Sequence, residues 1–134
     1  MTIVVVRATG TIRIILWSTN DYLDGIARTI TIIGVLFTDG KTILPLDSSQ
    51  DHKRLLDNDL GPNTGGMGAY SPAPLINKSL KKKIINKIVK PTLSALKKSN
   101  NAYKGFLYVG LMIKKNEPYL IEYNVRMGDP ECQV

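Results

Sequence analysis

The chain has 134 residues, 18 Lys and Arg against 11 Asp and Glu, 43% hydrophobic and 22% charged residues, and a single cysteine. That length allows at most one domain with a modest core, the composition is that of a soluble globular chain, and one cysteine, Cys132, excludes an internal disulfide and favours a reducing, cytoplasmic setting. No uncharged run has the length and apolarity of a membrane helix, and the short apolar stretch Met1 to Val6 is followed by Arg7 and Arg13, which argues against a cleavable signal.

Residues 1 to 33 contain three β-branched runs, Ile3 to Val6, Ile12 to Trp17 and Thr29 to Ile33, each reading as a strand. Tyr22-Leu23-Asp24-Gly25 reads as a turn, and Ala8-Thr9-Gly10-Thr11 is too poor in glycine to cradle a phosphate. From Gly34 the pattern sharpens. Val35-Leu36-Phe37 and Thr42 to Leu46 flank Thr38-Asp39-Gly40-Lys41, and an Asp-Gly pair between two such runs predicts a β-hairpin.

The hairpin leads into Gln50-Asp51-His52-Lys53-Arg54 and then into the loop Gly61-Pro62-Asn63-Thr64-Gly65-Gly66-Met67-Gly68-Ala69-Tyr70-Ser71-Pro72. Gly65, Gly66 and Gly68 would leave backbone N–H groups open to an anion, with Asn63 and Thr64 adding side-chain donors and Lys53 and Arg54 adding charge. Such a loop suits a sugar phosphate, although glycines crossing closely over another element would look the same on composition alone. His52 is the sole histidine and has no carboxylate partner fixed by the sequence, so a structural or hydrogen-bonding role is preferred to acid–base work.

A helix is expected from about Leu75 to Lys98, with Leu80, Ile84, Ile88 and Val89 on one stripe and a kink near Lys87 to Pro91, because proline removes a hydrogen bond and clashes with the preceding turn. Its lysines, Lys78, Lys81, Lys82, Lys83, Lys87, Lys90, Lys97 and Lys98, carry much of the net charge of +7 and read first as a solvated face rather than a nucleic-acid surface. Gly105 to Lys114 and Pro118 to Asn124 follow as an antiparallel pair around Lys115-Asn116-Glu117.

That last strand ends in a polar cluster. Alternation puts Glu122, Asn124 and, if the extension continues, Arg126 on one face, roughly 7 Å apart at each step. Carboxylate and amide oxygens suit Mg²⁺ or Mn²⁺ with few protein ligands, and the arginine suits a phosphate or carboxylate. Gly128-Asp129-Pro130 then turns the chain towards Glu131. Cys132 reads as a bystander.

Glu-x-Asn-x-Arg at Glu122 to Arg126 resembles the metal-binding strand of the ATP-grasp ligases. Arg126-Met127-Gly128-Asp129-Pro130-Glu131-Cys132-Gln133, the Gln50 to Arg54 segment and the Gly61 to Pro72 loop together resemble one family within them, the phosphoribosylamine–glycine ligases (glycinamide ribonucleotide synthetases) of purine synthesis. The resemblance runs from about Gly34 to Val134, so residues 34–134 are expected to be the core part of an ATP-grasp domain and residues 1–33 a divergent or non-family segment. It implies an α+β fragment of that domain, antiparallel strands with one long kinked helix. It also implies ATP-dependent joining of glycine to phosphoribosylamine, with Glu122 and Asn124 holding Mg²⁺ or Mn²⁺ and Arg126 facing an acyl phosphate. Asp51, Lys53, Arg54, Asn63, Thr64, Gly65, Gly66, Gly68, Gly128, Asp129, Pro130 and Glu131 would position glycine and the phosphoribosyl group.

The family's glycine-rich lid and its Leu-x-Gly-Glu-Glu acids have no counterpart here: Leu23-Asp24-Gly25 is followed by Ile26 and Ala27. Activity by the isolated chain is therefore not expected, and cut sheet edges would favour association. The rival readings are another ATP-grasp carboxylate–amine ligase, a basic nucleic-acid-binding module, and a noncatalytic remnant.

Overall fold

The structure is a computed structural model and describes residues 2–8, 11–17, 31–58, 60–129 and 131–134. The expected turn at Tyr22 to Gly25, and with it Thr9, Gly10 and Pro130, lies outside the described residues. Two strands, β1 (Thr2–Ala8) and β2 (Thr11–Trp17), form an antiparallel hairpin in which Thr2 pairs with Trp17 and Ala8 with Thr11. β2 runs beside the last strand of the main sheet.

That sheet has five strands. β3 (Thr31–Thr38) and β4 (Ile43–Asp51) are the hairpin expected around Asp39-Gly40, with Thr38 opposite Ile43. The turn is held locally: the Asp39 carboxylate accepts the backbone N–H groups of Lys41 at 2.8 Å and Thr42 at 2.5 Å, and Gly40 adopts φ 88°, where a side chain would be strained. The expected strand Thr29 to Ile33 does not end before Gly34. Its described part is the first half of β3, and the chain passes through Gly34 without turning, a register shift between Gly34 and Leu36 absorbing the irregularity.

β5 (Arg54–Leu56) and β6 (Leu60–Asn63) make a separate small ribbon, and β7 (Ala69–Tyr70) adds to the edge of β4. The glycine-rich stretch is thus less irregular than a plain loop, because both its ends find backbone partners. β8 (Gly105–Lys114) and β9 (Glu117–Asn124) are joined by the two-residue turn Lys115-Asn116, both at positive φ, 50° and 59°. The sheet order is β7-β4-β3-β8-β9.

The helix starts at Lys78 rather than Leu75, because Asn77 caps it: the Asn77 side-chain oxygen accepts the Leu80 N–H at 2.8 Å. It runs as α1 (Lys78–Ile84), a π-helical turn (Ile85–Val89) and α2 (Lys90–Lys98). The irregularity expected around Pro91 is this π-turn, closed by the Lys90 N–H on the Ile85 carbonyl. Leu80, Ile84 and Val89 press onto one face of the sheet against Leu36, Leu107, Val109, Leu111, Ile113 and Tyr123. Val35 and Tyr108 form a separate cluster on the other face, as strand alternation requires.

Glu117 ties the helix to the β8–β9 turn, accepting Lys83 Nζ at 2.5 Å and Lys87 Nζ at 3.2 Å. Lys83, then Lys87, hold the Glu117 carboxyl below its ordinary value of 4.5. A carboxyl depressed by folding stabilises the native chain above its unfolded pKa and loses that contribution as pH falls through the folded value. The acid limb of a urea-stability profile should therefore steepen below about pH 4.5, weaken in high salt, and flatten in Glu117→Gln. An acid limb unchanged by that substitution would remove Glu117 from the account.

Candidate active site

The two polar constellations come from opposite halves of the chain, and the sheet brings them to one face. Gly110 of β8 pairs with Glu122 and Tyr108 with Asn124, so both polar residues lie on the side of Tyr108, away from the helix. Along the same register Ile33 pairs with both Gly110 and Ser49, and Thr31 with both Met112 and Asp51. Ser49 and Asp51 of β4 thus share the face of Glu122 and Asn124, three strand spacings or roughly 14 Å away. Among these, Ser49, Asp51 and Asn124 are buried.

Glu122 and Asn124 meet directly, the Asn124 Nδ2 donating to Glu122 Oε1 at 3.0 Å. This contact confirms the i, i+2 alternation inferred from the sequence. It engages the nitrogen of the carboxamide, which leaves the amide oxygen as the acceptor end beside a carboxylate. Two hard oxygens from one strand face are what a small divalent cation takes when phosphates and water complete its shell. Among the described residues no cluster of three or more His, Cys, Asp or Glu side chains could hold a metal by itself, so any such ion here depends on oxygens from a ligand.

Gly110 makes room for this pair. A Cβ on Gly110 would stand 3.1 Å from the Glu122 Cγ and 3.5 Å from its carbonyl oxygen. A glycine inside a strand pattern marks a bulge or a close approach, and that is the signal the sequence carries for this contact. The bulge itself lies on the facing strand: Gly110 pairs with Glu122 but Leu111 with Leu120, which leaves Ile121 as the extra residue.

Arg126 departs from the expectation. The strand stops at Asn124 and the chain bends at Val125-Arg126, so the continued extension that would align Arg126 with Glu122 and Asn124 does not occur. Its guanidinium is exposed and Nη1 donates to the Met127 carbonyl at 3.0 Å. Gly128 is buried, and its carbonyl accepts the Cys132 N–H at 3.1 Å. Asp129 accepts Gln133 Nε2 at 2.9 Å. The short 3₁₀ turn Glu131–Gln133 so closed comes back against β4, the strand that ends in Asp51. Cys132 is an exposed free thiol.

The glycine loop is more self-satisfied than its composition suggests. The N–H and hydroxyl of Thr64 both donate to the Lys53 carbonyl, at 2.5 and 2.9 Å, and the Gly66 N–H donates to Thr64 Oγ1 at 3.2 Å. The Met67 N–H goes to the His52 carbonyl at 2.7 Å, and the His52 N–H to the Gly68 carbonyl at 3.0 Å. The expected set of open N–H groups is therefore partly spent on zipping the loop to residues 52 and 53. Lys53 and Arg54 are also turned inward: Lys53 Nζ pairs with the fully buried Asp51 carboxylate, and Arg54 Nη1 donates to the Gly61 carbonyl at 2.6 Å. Asn63 pairs with Arg54 through the backbone at the end of β6. His52 acts through its main chain, its exposed ring lying 5.4 Å from that of Tyr70. A depression of about 410 Å³ opens beside the β5–β6 ribbon between His52, Arg54 and Met67.

The family model for the phosphoribosylglycinamide synthetase ATP-grasp (A) domain matches residues 15–132. The chain belongs to this family. A phosphoribosylamine–glycine ligase of Vigna unguiculata is 55% identical over 98 residues, which cover 72% of this chain and 32% of that one. The ligase of Agrobacterium fabrum is 55% identical over 97 residues, 72% of this chain and 23% of the other. Among solved structures, the phosphoribosylamine–glycine ligase of Thermotoga maritima superposes with a TM-score of 0.66 at 42% identity, over 78% of this chain and 26% of that one. The α+β arrangement of the described residues, an antiparallel sheet with an interrupted helix, is thus a fragment of an ATP-grasp domain, and the chain spans a third or less of the curated relatives it matches. No helix among the described residues is long and apolar enough to cross a membrane.

The close approach at Gly110 gives a direct check. Gly110→Ala should cost about 1–3 kcal/mol of stability by overpacking and displace the Glu122 side chain, so the largest amide shifts in a ¹H–¹⁵N spectrum should fall at Glu122 to Asn124. Shifts confined to β8, with Glu122 unmoved, would show that the glycine does not set the position of the carboxylate.

Proposed function

We propose that this chain is part of the active core of a phosphoribosylamine–glycine ligase, joining glycine to 5-phosphoribosylamine with ATP to form glycinamide ribonucleotide in purine biosynthesis. In the reaction implied by the family, a glycine carboxylate oxygen attacks the γ-phosphorus of ATP and the bond to ADP breaks, leaving glycyl phosphate. The amine nitrogen of phosphoribosylamine then attacks the acyl carbon and expels phosphate, losing a proton. Such chemistry asks a protein mainly for positioning and charge neutralisation. The observation that carries the reading is the paired Glu122 and Asn124 on the face of β9 away from the helix, within a chain that belongs to the ligase family.

Glu122 and Asn124 would hold Mg²⁺ or Mn²⁺, which when bound supplies a template and Lewis acid for the nucleotide phosphates. Arg126, exposed at the bend beyond them, is the cation available to an acyl phosphate, and an exposed side chain can swing from its present contact with Met127. Asp51, Lys53 and Arg54, the loop residues Asn63, Thr64, Gly65, Gly66 and Gly68, and the turn Gly128, Asp129, Pro130 and Glu131 would position glycine and the phosphoribosyl group. The approach of the 3₁₀ turn to β4 supports grouping the first and last of these. Residues 34–134 form the family-like core of this reading and residues 1–33 its divergent segment, although the family match begins at residue 15 and β3 crosses that boundary. Association through exposed sheet edges and a cytoplasmic setting complete the proposal; exposed Leu44 and Leu46 on the edge-side strand β4 support the former.

Calorimetric titration of the purified chain with ATP in the presence and absence of Mg²⁺ tests the reading. Metal-dependent ATP binding that disappears in Glu122→Gln and in Asn124→Ala is the expected result. Binding indifferent to Mg²⁺, or retained in both variants, would overturn the assignment of the metal strand.

A further inference from the structure

Residues Glu122 to Asn124 occupy a mechanically weak position in the ladder. The ladder with β8 is interrupted on one side by the bulge at Ile121 and ends on the other at Asn124, so only three paired residues carry both polar side chains. A bulge increases local twist and breaks the regular ladder, and a strand end frays. The β8 ladder by itself therefore holds the rotation of this short piece only loosely, and contacts from its side chains take on that task.

The middle residue supplies them. Tyr123 alternates to the helix side, is 2% exposed, and places its hydroxyl 2.8 Å from Thr92 Oγ1 and 3.3 Å from the Ile88 carbonyl. Thr92 Oγ1 in turn donates to the Ile88 carbonyl at 2.9 Å. With one proton on each hydroxyl, the shorter distances give a chain from Tyr123 to Thr92 to the Ile88 oxygen. The acceptor belongs to the π-turn, which ends two residues before Pro91. A helical irregularity is thereby bonded to the residue between the two proposed ligands.

We propose that Thr92 and Tyr123 are positioning residues for the Glu122–Asn124 pair, holding it through the π-turn from the opposite face of the sheet. The proposal rests on the reading of that pair as a divalent-cation site. Neither hydroxyl touches the ligand oxygens; each acts on them through the strand, as residues outside a metal's own ligand set commonly do.

Three substitutions separate this role from simple packing: Tyr123→Phe and Thr92→Val each remove a hydroxyl at nearly constant shape, and Thr92→Ser keeps the hydroxyl. In the metal-free chain, the Asn124 carboxamide protons report its bond to Glu122 by NMR. The separation of the two proton resonances should collapse in Tyr123→Phe and Thr92→Val and return in Thr92→Ser, with thermal unfolding confirming that each variant is folded. Mn²⁺ binding with ATP, followed by the loss of its free-ion EPR signal, should weaken about tenfold or more in the first two and recover in the third. If the Asn124 resonances of Tyr123→Phe and Thr92→Val match those of the parent chain, the positioning role is wrong. A parent chain that fails to bind Mn²⁺ sinks the cation-site reading instead and leaves the NMR result to decide the positioning claim.

Discussion

One offset between two strands governs the polar face. From Lys114 to Leu111 the β8–β9 ladder runs in step, then Ile121 is passed over and Glu122 falls opposite Gly110. A shift of one residue exchanges the faces of everything beyond it. The offset therefore decides that Tyr123 enters the helix-side core while Glu122 and Asn124 reach the opposite face with Ser49 and Asp51. Gly110 is the matching half of the arrangement, since any side chain there would stand against Glu122.

The helix acts on the same few residues from behind. Its π-turn bonds to Tyr123 through Thr92 and the Ile88 carbonyl, and Lys83 and Lys87 fasten its first part to Glu117 at the start of β9. Both ends of β9 are thus secured to one helix. The lysines that invited a nucleic-acid reading divide accordingly: Lys83 and Lys87 serve this attachment, and Lys90 donates to Asn86 Oδ1 within the helix.

What was legible in the sequence was what is decided locally. Asp39-Gly40 specifies its turn through its own carboxylate and a positive φ, and the alternation from Glu122 to Asn124 needs only a strand. Pro91 announced an irregularity but not its form, because the helix packs there against residues from elsewhere in the chain, and Tyr123, which bonds the Ile88 carbonyl in the π-turn, is over thirty positions away. The runs on either side of Gly34 read as separate segments, yet Gly34 is strand interior, since the two neighbours that hold it extended, β4 and β8, come from elsewhere in the chain. The glycine loop misled in a related way. Composition shows which N–H groups are uncovered by side chains, but only the fold shows that Thr64, Gly66 and Met67 donate theirs to the loop's own surroundings. Arg126 shares a sequence alternation with Glu122 and Asn124 that the strand does not carry that far.

The central claim is that the bulged end of β9 presents a divalent-cation site on the face away from the helix. Paramagnetic relaxation by Mn²⁺ in the presence of ATP locates the ion most directly. The account predicts that amide broadening centres on Glu122 and Asn124 and extends across the sheet to Gly110 and Tyr108, leaving Lys78–Ile84 sharp. Broadening centred on the Gly65 to Gly68 loop or on the lysine-bearing helix, with Glu122 and Asn124 unaffected, would contradict it.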